Sequence, residues 1–139
     1  VLKQMGDGTM KMGAPRMGVG VVDVRDVANA HYQAGFNPKA QGRYITSGTN
    51  TNFFEMGSVL LDKFGDSHPI PRKVLPKWLV MLVGPLTNKL FTWKYIRNNI
   101  DVEFKADNSK IKKELGVTFM PLKKTMEDAF QVMVDEKIV

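Results

Sequence analysis

The stretch VVDVRDVANAH, Val21 to His31, decides the fold, because its pattern changes from that of a strand to that of a helix. The β-branched run from Val19 to Val24 favours an extended segment, and apolar residues then recur at helical spacing from near Asp26. After a short polar linker, GRYITSG, Gly42 to Gly48, is again typical of a strand. We therefore predict a strand, a helix, a turn and a second strand, which is an α/β arrangement.

Two aspartates lie at the junction between the first strand and the helix. A carboxylate at Asp23 or Asp26 can accept free backbone N–H groups at the start of the helix and complement its dipole, which contributes about 1 kcal/mol. Capping is the commonest use of aspartate at such a junction. We favour capping over catalysis for both residues.

Glycines, prolines and apolar periodicity place the other elements along the chain. The Lys77 to Val83 segment is apolar on nearly every face, which predicts a helix that is deeply buried or lies against a surface outside this chain. The predicted elements are a loop over Val1 to Gly20, a helix from about Asp26 to Gly35, a short strand over Arg43 to Ser47, a helix that begins at Thr49 or Thr51 and ends at Gly65, an extended segment over Asp66 to Pro76, a helix from Lys77 that Gly84 and Pro85 break, a helix over Asn88 to Asn98, a short strand over Val102 to Lys105, a helix that Asp107 caps and Gly116 ends, and a final helix from near Pro121. The buried stripe of the final helix is predicted to be Leu122, Met126, Ala129, Phe130 and Met133.

Length and composition favour one globular domain over residues 1–139, because the chain is 43% hydrophobic and long enough for a core. The absence of cysteine excludes disulfides, cysteine-based zinc sites and a cysteine nucleophile, and it fits a reducing cytoplasm. The longest apolar run, Trp78 to Val83, is well short of the roughly 20 residues of a membrane span, and the first residues are unlike a signal peptide. We expect a cytoplasmic protein with no membrane partner.

The net charge of +6 permits a polyanionic partner without establishing one. The densest basic cluster lacks the interleaved aromatic residues that stack on nucleic-acid bases. We predict a solvated helix face in preference to a phosphate-binding patch, and no nucleic-acid binding. The cluster consists of Lys110, Lys112, Lys113, Lys123 and Lys124.

The familiar catalytic and cofactor motifs are missing from the sequence. GDGTMKMG and GAPRMGVG are rich in glycine, but neither follows a buried strand and opens a helix as a dinucleotide fingerprint does. The two histidines, His31 and His68, have no cysteine to complete a metal site, and His31 is predicted to be a packed helix-face residue. We predict no metal site and no catalytic residue in this chain.

Five motifs, in this order, resemble the C-terminal half of an extended short-chain dehydrogenase/reductase of the epimerase/dehydratase superfamily. They are VVDVRDVANAH, GRYITSG, LPKWLVMLVGP, DNSKIKKELG and PLKKTMEDAFQVMVDEKIV, and the resemblance covers nearly the whole chain from Val19 onward. The nearest group is that of the dihydroflavonol 4-reductase-like and aldehyde-reductase-like proteins. Hydroxysteroid dehydrogenases are more distant.

This resemblance implies a C-terminal fragment of a Rossmann-type α/β fold, helix-rich with a few short strands. Gly42 to Ser47 would be a late strand of the parallel sheet, and Lys77 to Asn99 together with DNSKIKKELG would form a small substrate-binding lobe. The parent protein would reduce a small-molecule carbonyl substrate with hydride from NAD or NADP. An epimerase or dehydratase of the same superfamily is the alternative within the enzymes, because its C-terminal half would look similar.

The chain departs from the family pattern in what it lacks. Such reductases need a glycine-rich fingerprint and a YxxxK pair, and the three tyrosines here are followed four residues later by Phe36, Gly48 and Asn99. No catalytic residue can be carried over, so we expect the chain alone to be inactive and to bind no cofactor. We interpret it as a truncated or cloned segment whose missing N-terminal half is its natural partner.

A fragment of this kind would leave a strand edge unpaired and apolar surface uncovered, so we expect self-association. We place one wall of the substrate pocket on the Met12 to Gly20 loop, with disorder of that glycine-rich loop as the alternative. Non-enzymatic alternatives are a basic binding module and a structural or interaction domain. The predicted substrate contacts are Met12, Arg16, Met17, Gly18 and Gly20.

Overall fold

The computed structural model describes residues 1–87 and 91–139, with the side chains of 86 and 87 left out. Ten elements follow one another in the described chain, and they form a helix-rich α/β arrangement, as the sequence predicts. The elements are α1 (Leu2–Gly6), β1 (Gly18–Val21), α2 (Val24–Phe36), β2 (Thr49–Asn52), α3 (Phe53–Ser58), α4 (Leu61–Phe64), α5 (Lys77–Thr87), α6 (Trp93–Asn99), α7 (Ser109–Leu115) and α8 (Leu122–Asp135).

The two strands form an antiparallel pair, with Gly18 opposite Asn52 and Val21 opposite Thr49. The strand-to-helix junction of VVDVRDV forms as predicted, since β1 ends at Val21 and α2 begins at Val24. Asp23 is the N-cap, and its carboxylate accepts the N–H of Arg25 at 2.9 Å. The buried Asp26 instead accepts the N–H of Met120 at 2.7 Å, so it joins α2 to the segment before α8.

The predicted strand over Arg43 to Ser47 is wrong, because no strand lies beside it in the described part of the chain. Side chains near the start of α7 bind its carbonyl groups instead. The amide of Asn108 donates to the Ser47 carbonyl at 2.6 Å, and the Lys110 ammonium donates to the Arg43 carbonyl at 3.4 Å. The segment therefore has no strand partner in the described chain.

The prediction of a loop over Val1 to Gly20 is also partly wrong, since α1 and the start of β1 lie within it. Helix α1 buries Met5 completely. Gly6 lies so close to the Phe130 ring that an added Cβ would come within 2.7 Å of it. Tertiary packing against α8 therefore stabilises a five-residue helix that has no local signal of its own.

The predicted helix from Thr49 or Thr51 to Gly65 is divided into β2, α3 and α4. The cap is Asn52, whose side chain accepts the N–H of Glu55 at 3.1 Å. The Ser58 hydroxyl donates to the Phe54 carbonyl at 2.9 Å, a bond that commonly bends a helix. The predicted end at Gly65 agrees with the C-cap of α4.

Helix α5 passes through Gly84 and Pro85, so the predicted break there is wrong. Pro85 removes the hydrogen bond that its missing N–H would have donated, and its ring crowds the carbonyl of Met81 one turn earlier. The start of the predicted Asn88 to Asn98 helix lies outside the described residues, and α6 begins at Trp93. As predicted, no helix forms between Asp66 and Pro76.

The C-terminal elements follow the sequence closely, apart from the predicted strand over Val102 to Lys105. That segment contributes only an isolated bridge from Val102 to Met17. Helix α7 ends at Gly116, whose φ of 64° is in the left-handed region that glycine favours. Helix α8 buries Met126 and Phe130, while Ala129, predicted to be buried, is exposed.

Four groups of buried apolar residues form the core of the described chain. The largest joins α8 to α4, with the rings of Phe64 and Phe130 centred 4.6 Å apart. A second packs Ala30 of α2 against Ile111 of α7. The longest apolar helices in the described residues are too short to cross a bilayer.

Candidate functional site

A cleft of about 410 Å³ opens beside the strand pair, between the ends of β1 and β2 and the segment that follows α6. Three parts of the chain line it, namely the loop that enters β1, the β2–α3 junction, and residues 101–104. Most of the side chains that line it are polar. They include Arg16, Asn50, Asn52, Glu55, Asp101 and Glu103.

Gly18 allows the third wall of the cleft to approach β1. A Cβ at this position would lie 2.7 Å from both the Phe104 nitrogen and the Val102 carbonyl oxygen. The Asp101 N–H also donates to the Arg16 carbonyl at 2.8 Å. The absence of a side chain at Gly18 therefore sets the spacing between these two walls.

Arg16 is the cation of the cleft. Its side chain is exposed and makes no hydrogen bond or ion pair within residues 1–87 and 91–139. A guanidinium presents five donors in a planar fork that suits carboxylate, carbonyl or hydroxyl oxygens. Arg16 is thus available to a ligand that enters the cleft.

The carboxylates of the cleft differ in how firmly they are held. Glu55 accepts the Thr51 hydroxyl at 2.8 Å, and Thr51 is itself buried. Glu103 is 3.0 Å from the Lys105 ammonium. Asp101 has a φ of 58°, a conformation that aspartate tolerates better than most residues. The carboxylates provide hydrogen-bond acceptors and Arg16 provides donors for a polar ligand. This set of groups suits the binding and orientation of a ligand better than proton transfer.

The structure brings together two of the five predicted substrate contacts and separates the others. Arg16 and Gly18 line the cleft. Met17 packs into a core group, where the Tyr95 hydroxyl lies 3.7 Å from its sulfur. Met12 is on the surface at 75% exposure, and Gly20 lies against Ser47 and Phe104.

Sequence reasoning missed the two other walls of the cleft. The run TNTN predicts only the start of a helix, because asparagine is depleted in strands and gives little local signal for β2. Asp101 and Glu103 carried no signal, because their approach to β1 depends on the glycine at Gly18.

The described residues are poorly suited to the phosphates of a dinucleotide. At both strand-to-helix junctions of the described chain a side chain already caps the helix, Asp23 before α2 and Asn52 before α3. The Asp23 carboxylate would also repel a phosphate. In the described ranges, no three or more histidine, cysteine, aspartate or glutamate side chains come together in a group that could hold a metal ion.

The basic cluster is largely engaged within the protein. Lys123 donates to Asp62 at 2.6 Å and Lys124 to Asp128 at 3.1 Å. The Lys110 ammonium lies 4.4 Å from the centre of the Tyr44 ring. These pairings support the interpretation of the cluster as a solvated, structural face.

The comparisons with known proteins identify a shared fold. No protein-family profile matches the chain, and no curated protein matches it in sequence. The crystal structure of a protein named gox2253 is similar, with a TM-score of 0.72 and 24% sequence identity. The match covers 99% of this chain and 43% of that chain, so this chain spans less than half the length of that protein.

Proposed function

We propose that this chain is the substrate-binding C-terminal portion of an NAD(P)-dependent reductase that reduces a carbonyl group. The parent protein would be an extended short-chain dehydrogenase/reductase of the dihydroflavonol 4-reductase-like group, with a Rossmann-type cofactor half that precedes this chain. The cofactor would supply hydride to the carbonyl carbon. The alcohol forms when the carbonyl oxygen takes up a proton from a residue outside this chain.

One observation carries the proposal. Nearly all of this chain, 99%, matches a protein of which it covers only 43%, and the order of motifs from Val19 onward resembles the C-terminal half of such reductases. A likeness of this extent favours a portion of a larger fold over an unrelated small domain. The fold alone leaves the chemistry open, so the activity comes from the resemblance.

The cleft supports a role in substrate binding. Arg16 and Gly18, two of the predicted contacts, lie in its wall. The cleft residues offer charged and amide groups but no histidine, cysteine, tyrosine or lysine among its described lining. Such a set can hold and orient a polar substrate while the cofactor and the catalytic residues come from the other half.

The intact mass and N-terminal sequence of the protein from its natural source test this proposal. We expect a mass near twice the 15.6 kDa of this chain, with a glycine-rich fingerprint and a YxxxK pair upstream of Val1. A mature protein that starts at Val1 would overturn the proposal and leave a binding or structural module.

A further inference from the structure

The net positive charge of the chain is concentrated in one region. Between Ser67 and Ile100 there are six lysines and arginines and no aspartate or glutamate. The rest of the chain holds 14 basic and 14 acidic residues, which cancel. The excess of six positive charges thus comes from this part of the sequence, in which Lys94 and Arg97 of α6 are exposed.

Helices α5 and α6 pack against each other through small and branched residues. Val80 and Ile96 are buried, and a Cβ added to Gly84 would lie 3.1 Å from the Ile96 side chain. The Lys77 ammonium donates to the carbonyls of Arg97 and Ile100 at 2.9 and 2.8 Å. These two hydrogen bonds connect the start of α5 to the end of α6, so the two helices are held in one arrangement.

Both tryptophans of the chain lie on the outside of this pair. Trp78 and Leu82 are one turn apart on α5, and each is 67% exposed. Trp93 on α6 is 66% exposed and is followed on the outer face by Lys94 and Arg97. Neither of those two cations forms an ion pair within the described chain. Trp78 and Leu82 are neighbours on one helix face, and contiguous exposed apolar groups of this kind mark an interaction surface.

We propose that the outer face of α5 and α6 binds the surface of a membrane that contains anionic lipids. Tryptophan and leucine beside lysine and arginine, without acidic residues, are typical of helices that lie in the membrane interface. Trp78, Leu82 and Trp93 would enter the headgroup region. Lys94 and Arg97 would meet the negative charges of the lipid surface.

Charge favours a lipid surface over a second copy of this chain. An acidic lipid layer complements Lys94 and Arg97, which are exposed on α6, whereas a second copy of this chain that met it through the same face would place those cations against each other. This inference replaces our expectation of no membrane partner, which rested on the absence of a span. It is independent of the proposed reductase activity.

Tryptophan fluorescence and co-sedimentation with vesicles test the inference on the full chain. Because both tryptophans lie on this face, a blue shift reports directly on its burial. We expect binding and a blue shift with phosphatidylcholine vesicles that contain phosphatidylserine, and loss of both at high salt. No binding, or equal binding to vesicles of phosphatidylcholine alone, would overturn the proposal.

Matched charge variants test which part of the chain contacts the vesicle surface. Lys94→Gln with Arg97→Gln should weaken binding about 25-fold, since each basic residue near a membrane surface contributes about fivefold. Lys39→Gln with Lys113→Gln removes the same charge from exposed positions elsewhere and should retain binding. Equal losses in the two pairs would contradict the proposed site.

Two further measurements complete the test. Circular dichroism should show both double variants folded, because all four side chains are exposed. A blue shift that rises with protein concentration without vesicles would show that a second copy covers the tryptophans, and this would overturn the proposal.

Discussion

The Arg25 guanidinium holds the Asp23 carboxylate with two hydrogen bonds, from Nε to Oδ1 and from Nη2 to Oδ2, each 2.8 Å long. The same Nη2 is 2.7 Å from Asp128, so the pair also links the start of α2 to α8. Asp23 is buried, and the hydrogen bonds from Arg25 hold the pKa of its carboxyl well below its usual range. The strand-to-helix junction is therefore fixed by an ionic contact as well as by a helix cap.

This contact predicts a specific dependence of stability on pH. Because the folded-state pKa of Asp23 is lowered from its ordinary 3.8, the pair stabilises the fold above that pH, and this stabilisation is lost as the pH falls below it. Asp23→Asn keeps a good cap but removes the charge. We expect Asp23→Asn to lower the free energy of unfolding by about 1–3 kcal/mol at pH 7. We also expect this free energy to fall less steeply at acid pH than in the unchanged protein, as measured by urea unfolding at several pH values. If the free energy of unfolding of Asp23→Asn falls at acid pH as steeply as that of the unchanged protein, the Asp23–Arg25 pair does not govern this pH dependence.

The close approach of the main chain to Gly18 predicts that a side chain at this position lowers the stability of the fold. In Gly18→Ala the new Cβ would meet the main chain of Val102 and Phe104, which cannot rotate away as a side chain can. We expect a loss of about 1–3 kcal/mol in the free energy of unfolding. Gly35→Ala is the control, since nothing lies within 4 Å and the residue is in α2, where alanine should raise stability by about 0.5–1 kcal/mol. Similar effects of both changes on stability would contradict the close approach.

The burial of Phe130 predicts how much the main core contributes to the free energy of unfolding. Its side chain is fully buried and packs against Phe64 and Gly6. We expect Phe130→Ala to cost about 3–5 kcal/mol, because the ring leaves a cavity that α1 and α4 cannot fill. Val132→Ala, on the exposed side of the same helix, should change the free energy of unfolding by less than about 0.5 kcal/mol. Chemical denaturation of the two variants compares them directly.

The unpaired segment over Arg43 to Ser47 predicts the route of self-association. Ile45 is 51% exposed, and the described chain provides no neighbouring strand for its backbone. We expect Ile45→Asp to abolish concentration-dependent dimers in sedimentation velocity, because a charge on an exposed edge opposes pairing. Val24→Asp, at an exposed residue of α2, is the control for a general effect of added charge. Dimers that persist in Ile45→Asp would exclude this segment as the contact.

Local signals in the sequence predicted the elements that local chemistry stabilises. The change of period near Asp26, the cap at Asp23 and the positive φ at Gly116 depend on neighbouring residues, and all three are found in the fold. Helix α1 and the division between α3 and α4 were missed. Helix α1 depends on the packing of Gly6 against Phe130, which no local pattern encodes, whereas the division of the other helix accompanies the bond from the Ser58 hydroxyl to the Phe54 carbonyl.

The cleft was predicted in part for the same reason. Arg16 and Gly18, which line the cleft, drew attention in the sequence because they lie in a glycine-rich loop, and their role as substrate contacts stays a prediction. Asp101 lies 85 positions after Arg16, and its N–H reaches the Arg16 carbonyl only when the chain folds back along β1. The strand predicted over Arg43 to Ser47 failed because a strand needs a partner, and the described chain does not supply one.

The proposed function predicts a separation of kinetic constants when Arg16 is changed in the complete natural protein. We expect Arg16→Gln to raise KM for the carbonyl substrate about tenfold with little change in kcat, since the side chain would bind substrate without touching the reacting atoms. Lys11→Gln, an exposed change in the same loop outside the cleft lining, should leave both constants unchanged. A fall in kcat with an unchanged KM would assign Arg16 a different role.

The most direct test of the proposed function is the oxidation of NADPH and NADH by the complete natural protein in the presence of aldehydes and ketones. We expect one nicotinamide oxidised for each alcohol formed, and no turnover by residues 1–139 alone. A folded natural protein that oxidises neither cofactor with any carbonyl compound would contradict the account.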